Sequence, residues 1–261
     1  MKLARRFVFY GHANAYSGWL YRPEHLNVSS AASAALSPTG GDVEASQKRQ
    51  RFGPYLTVGT ARAGARGRFD KRRDAVAASH GRCGEDELTA TTDCTVDIED
   101  IRLDEARFRV KHLRAGLVSK SPAIGKESPV RLARDTFLKG VSIDGFELAV
   151  TIDTKSFGEH DTFDKVLKHL KRHAPVFEQH DRLIYTTVAT KVKWVGRAHP
   201  DATIEGHILR VANFGRIYFG ELFVEESMRR LTLMRAHLGS PIGAQIGFGN
   251  VGTNGSWYPP T

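Results

Sequence analysis

The chain has 261 residues, 41% of them hydrophobic, with 14 Phe and 7 Tyr. That is enough apolar material for an ample core without a metal or disulfide staple, and it excludes a globally disordered chain. Two cysteines exclude a disulfide scaffold, and a formal net charge of +9 makes acidic partners the class that the charge addresses.

The start, MKLARRFVFYGHANAYSGW, follows its basic residues with an apolar run only from Phe7 to Tyr10. This is shorter than a signal-peptide core, and no stretch reaches the roughly 18 apolar residues of a membrane span. The expectation is a soluble, cytoplasmic protein with no membrane span.

Basic charge concentrates early: residues 1–75 carry 13 Lys/Arg against 5 Asp/Glu, a net of +8. Within them, SSAASAALSPTGGDVEASQKRQR (29–51) is small, polar and turn-forming, as a flexible loop would be. ARAGARGRFDKRR (61–73) follows as a glycine-rich basic arm, with Arg62, Arg66, Arg68, Lys71, Arg72 and Arg73 as candidate phosphate contacts. Only Phe69 interrupts the charges, so stacking platforms are scarce. A solvated loop is the stronger reading and sequence-independent nucleic-acid binding the weaker one. The organisation expected is a basic N-terminal segment (1–75) followed by a β-rich domain (76–261), with one continuous domain over 1–261 as the alternative.

Cys83 and Cys94 bracket an acidic stretch, and in a cytoplasmic chain both are expected to be reduced. His80, Arg82 and Cys83 form the nearest approach to an activated nucleophile, but no orienting group accompanies them. From Cys94 onward the periodicity is two. TVDIEDIRL puts Val96 and Ile98 on one face, then shifts phase at Glu99-Asp100 to Ile101 and Leu103. RFRVKHLRAGLV does the same between Val110 and Leu113. These are half-buried strands with a bulge or bend.

GVSIDGFELAVTID predicts a two-residue hairpin: Asp144-Gly145 is a type I′ pair, setting Ile143 opposite Phe146 and Val141 opposite Leu148. DTFDKVLKHLKRHAP then switches to helical spacing, with Phe163, Val166, Leu167 and Leu170 on one side and Asp161 as N-cap. His169 and His173 stand at the i, i+4 spacing of metal ligands, yet Lys168, Lys171 and Arg172 oppose a dication, so no metal is assigned.

Strands resume in RLIYTTVATKVKWV, TIEGHILRVANFGRIYFGELFVEE and RRLTLMRAHL. Many short strands with one short amphipathic helix near 161–173 predict a mainly β fold, an antiparallel sandwich or barrel-like sheet stack.

Finally, GFGNVG (247–252) matches the dinucleotide fingerprint G-x-G-x-x-G, but only TNGSWYPPT follows it, too little for the second strand of a βαβ unit. It reads instead as a curved edge strand. Ile242, Ala244, Ile246 and Phe248 form its packed face, and Gly243, Gly247 and Gly249 a bare one open to a close neighbour.

No nucleophile elbow, phosphate loop or calcium loop is present, so no catalytic residue and no cofactor are assigned. The function expected is a non-enzymatic interaction or assembly module, contacting a protein partner or a second copy through Gly243, Gly247, Gly249, Trp257 and Tyr258. The alternative is a small-ligand binder or enzyme with a site built from His207, Glu221 and His237.

Overall fold

The sharpest local code in the chain is the Asp144-Gly145 turn. In the computed structural model, which describes residues 6–71, 88–123, 127–173, 177–226 and 228–258, Asp144 and Gly145 have φ of 48° and 82°. Ile143 pairs with Phe146 and Val141 with Leu148, as the turn chemistry dictates.

Around this hairpin the chain is strand-rich. In order it forms β1 (Arg6–Leu20), β2 (Leu26–Ala35), β3 (Gly41–Gln47), β4 (Gln50–Phe52), β5 (Leu56–Val58), β6 (Ala61–Lys71), β7 (Leu88–Leu103), β8 (Phe108–Pro122), β9 (Val130–Leu132), β10 (Phe137–Ile143) and β11 (Phe146–Ile152). The helices α1 (Ser156–Glu159) and α2 (Phe163–His173) follow. Then come β12 (Phe177–His180), β13 (Leu183–Thr187), β14 (Ala189–Trp194), β15 (Ala202–Glu205), β16 (Ile208–Val211), β17 (Gly215–Glu225), β18 (Met228–Leu238) and β19 (Ala244–Tyr258).

The described residues form two antiparallel sheets. One has nine strands and runs β12-β13-β17-β18-β19-β1-β2, with β15 and β16 beside β17. The other has ten strands and runs β14-β11-β10-β8-β7-β5-β4, with β6 and β3 beside β7 and β9 beside β8. The predicted β class holds, as a sandwich of two open sheets.

The stretch read as a loop over 29–51 lies largely in β2, β3 and β4, and the basic arm is strand β6, paired with β3 and β7. The reason is size. Ala13, Ala15, Ala32, Ala34, Ala61, Ala63 and Ala65 are all buried in one core cluster, so alanines from β1 and β2 in one sheet meet those of β6 in the other. Small inward residues bury a strand as surely as large ones do, but they leave little hydropathic contrast in the sequence.

Arg62, Arg66 and Arg68 point outward from β6. Arg66 bonds Asp42 at 2.6 Å and Arg68 lies 3.3 Å from Asp70. The side chain of Lys71, together with Arg72, Arg73, His80, Arg82 and Cys83, lies outside the described residues. Cys94 is a buried thiol, pushed up to about 12 mainly by burial.

The phase shifts read in two strands are one bend across the sheet. Buried positions switch from Ile98 to Ile101 in β7, from Val110 to Leu113 in β8 and from Leu138 to Val141 in β10. The left-handed residues Asp100 (φ 55°) and Gly140 (φ 61°) sit at the switch.

The described residues hold two helices rather than one. Asp161 does not cap α2: its two carboxylate oxygens take Lys165 and Arg131, and the Phe163 N–H donates to Glu127 instead, at 2.5 Å. Behind this joint, Arg229 is 2% exposed and donates from Nη2 to the His160 carbonyl at 2.8 Å. Burial lowers its pKa to about 10, against the pull of Asp161 and Glu127. This buried guanidinium fastens the α1–α2 junction to β18.

Strand β19 is not an edge. It pairs with β1 along one side and β18 along the other. Ile242, Ala244, Ile246 and Phe248 are buried as expected, but Gly249 is buried with them while Gly243 and Gly247 are half-buried. Gly249 turns at φ 67°, and a Cβ there would meet Leu113 at 2.7 Å inside the core. Gly247 remains on the outer face. Gly243 packs beside Tyr21 and Arg22, its carbonyl accepting both their N–H groups.

Candidate functional site

The stretch read as a continuous strand from Leu183 to Trp194 divides at Val188: β13 belongs to the nine-stranded sheet and β14 to the ten-stranded one. The chain crosses between the sheets there, held by Val188 N–H to Gly220 O and by Asp153 N–H to Val188 O, at 2.7 and 2.8 Å. Helices α1 and α2 lie over this crossing, with Phe157, Phe163, Val166 and Leu170 in the core.

A cavity of 380 Å³ remains between them, within the size range of small-ligand sites. Phe157, Leu170 and Ala189 give it apolar walls, and His169, His173 and His207 bring polar groups into it. The i, i+4 pair on α2 thus meets a histidine from the β15–β16 turn.

The His169 ring contacts His160 (ring centroids 4.4 Å) and His173 (5.2 Å), both at tilted angles. His160 is fixed in turn, with Nδ1 2.7 Å from the Ser156 carbonyl. Burial first, then the two neighbouring histidines, hold His169 below its ordinary value, opposed by Asp153. His207 is held down chiefly by burial, so both imidazoles favour the neutral form. Among the described residues no group of three or more His, Cys, Asp or Glu is placed to hold a metal ion.

Asp153, Ser156 and His169 all line the cavity, and those are the residue types of a hydrolytic triad. They are not wired as one. Asp153 Oδ1 accepts the Ser156 backbone N–H at 2.8 Å, capping α1, and no hydrogen bond links His169 to either residue among the described residues.

Behind His207 lies a charge cluster. Glu221, 6% exposed, accepts Nε and Nη2 of Arg235 at 2.7 and 2.6 Å and also the Tyr185 hydroxyl. Burial pushes the Glu221 pKa up, but the bonds from Arg235 and Tyr185 outweigh it and hold the carboxyl below its usual range. Arg235 lies 4.0 Å over the Tyr218 ring.

The structure therefore brings His207 and Glu221 together and leaves His237 out. That residue is exposed, opposite Arg216 and Gln245. Sequence reading missed Arg235 and Tyr185, which look like members of a solvated strand face. The available signal was Gly220, whose positive φ of 69° shifts the strand and buries the following glutamate.

Trp257 is half-buried rather than free, packed on Phe7 (5.2 Å) and Phe69 (6.1 Å), with Nε1 donating to Ser121 O. Tyr258 is exposed.

The family model described as "Domain of unknown function (DUF8256)" matches residues 7–187. The chain belongs to that family. The matched span runs from β1 to the end of β13, so it takes in α1, α2 and the threonines of β13. It stops before His207, Glu221 and Arg235. No curated protein and no solved structure matches this chain.

Proposed function

We propose that this chain is a binding protein whose ligand is a small, uncharged, ring-containing molecule held in the histidine-lined cavity between α2 and the β13–β14 crossing. The observation that carries this reading is the meeting of His169 and His173 with His207 in one partly apolar cavity of 380 Å³. The neutral imidazoles of His169 and His207 offer one donor and one acceptor each. Phe157 and Leu170 supply apolar contact for a ring.

Binding is favoured over catalysis because the serine, histidine and aspartate at the cavity are not joined by the hydrogen bonds that activate a nucleophile. This departs from the assembly surface expected of the glycine face, since Gly249 packs inside the core.

The test is a ligand-observed magnetic resonance screen of uncharged heteroaromatic fragments against the full chain. Thr190→Trp, an exposed position at the cavity rim, plugs the entrance. Fragments that bind the native chain and lose binding to this variant support the reading. No binders, or binders indifferent to the plug, overturn it.

A further inference from the structure

A second concavity, of 430 Å³, opens on the outer face of the nine-stranded sheet where β18, β19 and β1 run side by side. Its floor is low because position 247 has no side chain, and an added Cβ there would meet the Asn250 amide at 3.1 Å. Trp19 stands at the rim with 53% of its surface in solvent, next to its cross-strand partner Gln245.

The polar groups facing this groove are incompletely used. His12 Nδ1 and Asn14 Oδ1 are sealed from solvent with no hydrogen-bond partner, so they bond a ligand only once their side chains turn into the groove. Asn250 Oδ1 accepts Thr232 Oγ1 at 2.9 Å, leaving its amide hydrogens for another acceptor. Arg235 reaches the same groove, but both of its bonded nitrogens go to Glu221, so the pair adds no net charge. Burial, and then Arg230, keep His12 toward its neutral form.

The groove lining therefore combines an exposed aromatic plate with amide and imidazole groups and a charge compensated within the lining, with Arg230 beside His12 outside it. A flat apolar plate suits the C–H face of a pyranose ring, and the surrounding amides suit its hydroxyls. A phosphate or carboxylate would need a cation that is not already paired. We infer that this groove binds a neutral saccharide, with its sugar ring against Trp19 and its hydroxyls on the amides of Asn250 and Gln245.

The experiment is isothermal titration of the full chain with neutral hexasaccharides of glucose, mannose, xylose and galactose, and with an acidic hexauronate as the charged control. At least one neutral sugar is expected to bind. Trp19→Ala should weaken it at least tenfold and Gly247→Leu should abolish it, with melting temperatures close to the native value. Thr190→Trp, at the other cavity, should leave it unchanged. If Gly247→Leu fails to fold, Trp19→Ala alone decides. The inference is overturned if no neutral sugar binds, if the hexauronate binds more tightly, or if affinity survives loss of the indole.

Discussion

Glu221 on β17, whose cross-strand partner is Thr232, reaches three residues along β18 to Arg235 in a two-pronged pair, Oε2 to Nε at 2.7 Å and Oε1 to Nη2 at 2.6 Å. The carboxylate is nearly sealed from water and the guanidinium side chain is 26% exposed, so the pair is tightly tied on one side and partly wet on the other.

Glu221→Gln keeps the shape but leaves Arg235 without its counter-charge and weakens the acceptor for Tyr185. Removing one member of a fully buried pair costs about 3–5 kcal/mol. With Arg235 partly hydrated, the expected loss is about 2–3 kcal/mol. Urea denaturation measures it, and an unchanged midpoint would show that the cluster contributes nothing to stability.

The hairpin turn makes a purely conformational prediction. Gly145 has φ 82°, and a Cβ there would meet nothing within 4 Å, so any penalty comes from the backbone and not from a clash. Gly145→Val should destabilise by about 1–3 kcal/mol, while Gly145→Asn, which tolerates the left-handed region, should cost much less. Equal melting temperatures for the two variants would contradict the turn type. Asp144 adds a tertiary anchor, accepting from Arg107 at 2.9 and 3.0 Å and contacting His199 at 3.2 Å.

What was legible in the sequence follows from how local each signal is. The hairpin was readable in register because turn chemistry and cross-strand pairing both sit within ten residues. The amphipathic stripe of α2 was equally plain, but its cap was not, because Glu127 arrives from a distant loop. Strand β6 was hidden by its own regularity: Ala61, Ala63 and Ala65 alternate with Arg62, Gly64 and Arg66, yet alanine gives weak hydropathic contrast and the arginines invite a surface reading. The candidate sites were least legible. His169 and His207 meet only because the chain crosses between sheets at Val188, and Trp19 joins Gly247 only because the first strand pairs with the last.

Two glycines two residues apart in β19 should respond in opposite ways. Gly249→Ala forces a Cβ to within 2.7 Å of Leu113 and 3.2 Å of Leu233 at φ 67°, combining overpacking with backbone strain, each costing about 1–3 kcal/mol. Gly247→Ala meets only the amide end of Asn250 on the outer face and should be nearly neutral. Thermal denaturation of both variants decides the matter, and a fragile Gly247→Ala beside a robust Gly249→Ala would reverse the assignment of inner and outer faces.

The imidazoles predict a pH dependence with a definite sign. His12, His169 and His207 are all held below the ordinary value of 6.5, each with burial as the largest cause. When a folded histidine has a lowered pKa, the unfolded chain takes up the proton first. The stability the neutral ring contributes is thus fully present above pH 6.5 and is lost as pH falls from there through the lowered folded values. Glu221 acts in a separate window: its folded pKa lies below 4.5, so its contribution persists through the histidine range and is lost only as pH drops further. Melting temperature should therefore decline between pH 7.5 and 5.5, and the decline should be shallower in a His169→Gln, His207→Gln double variant, which removes two of the three groups. A profile in the double variant as steep as the native one would place the titration elsewhere in the chain.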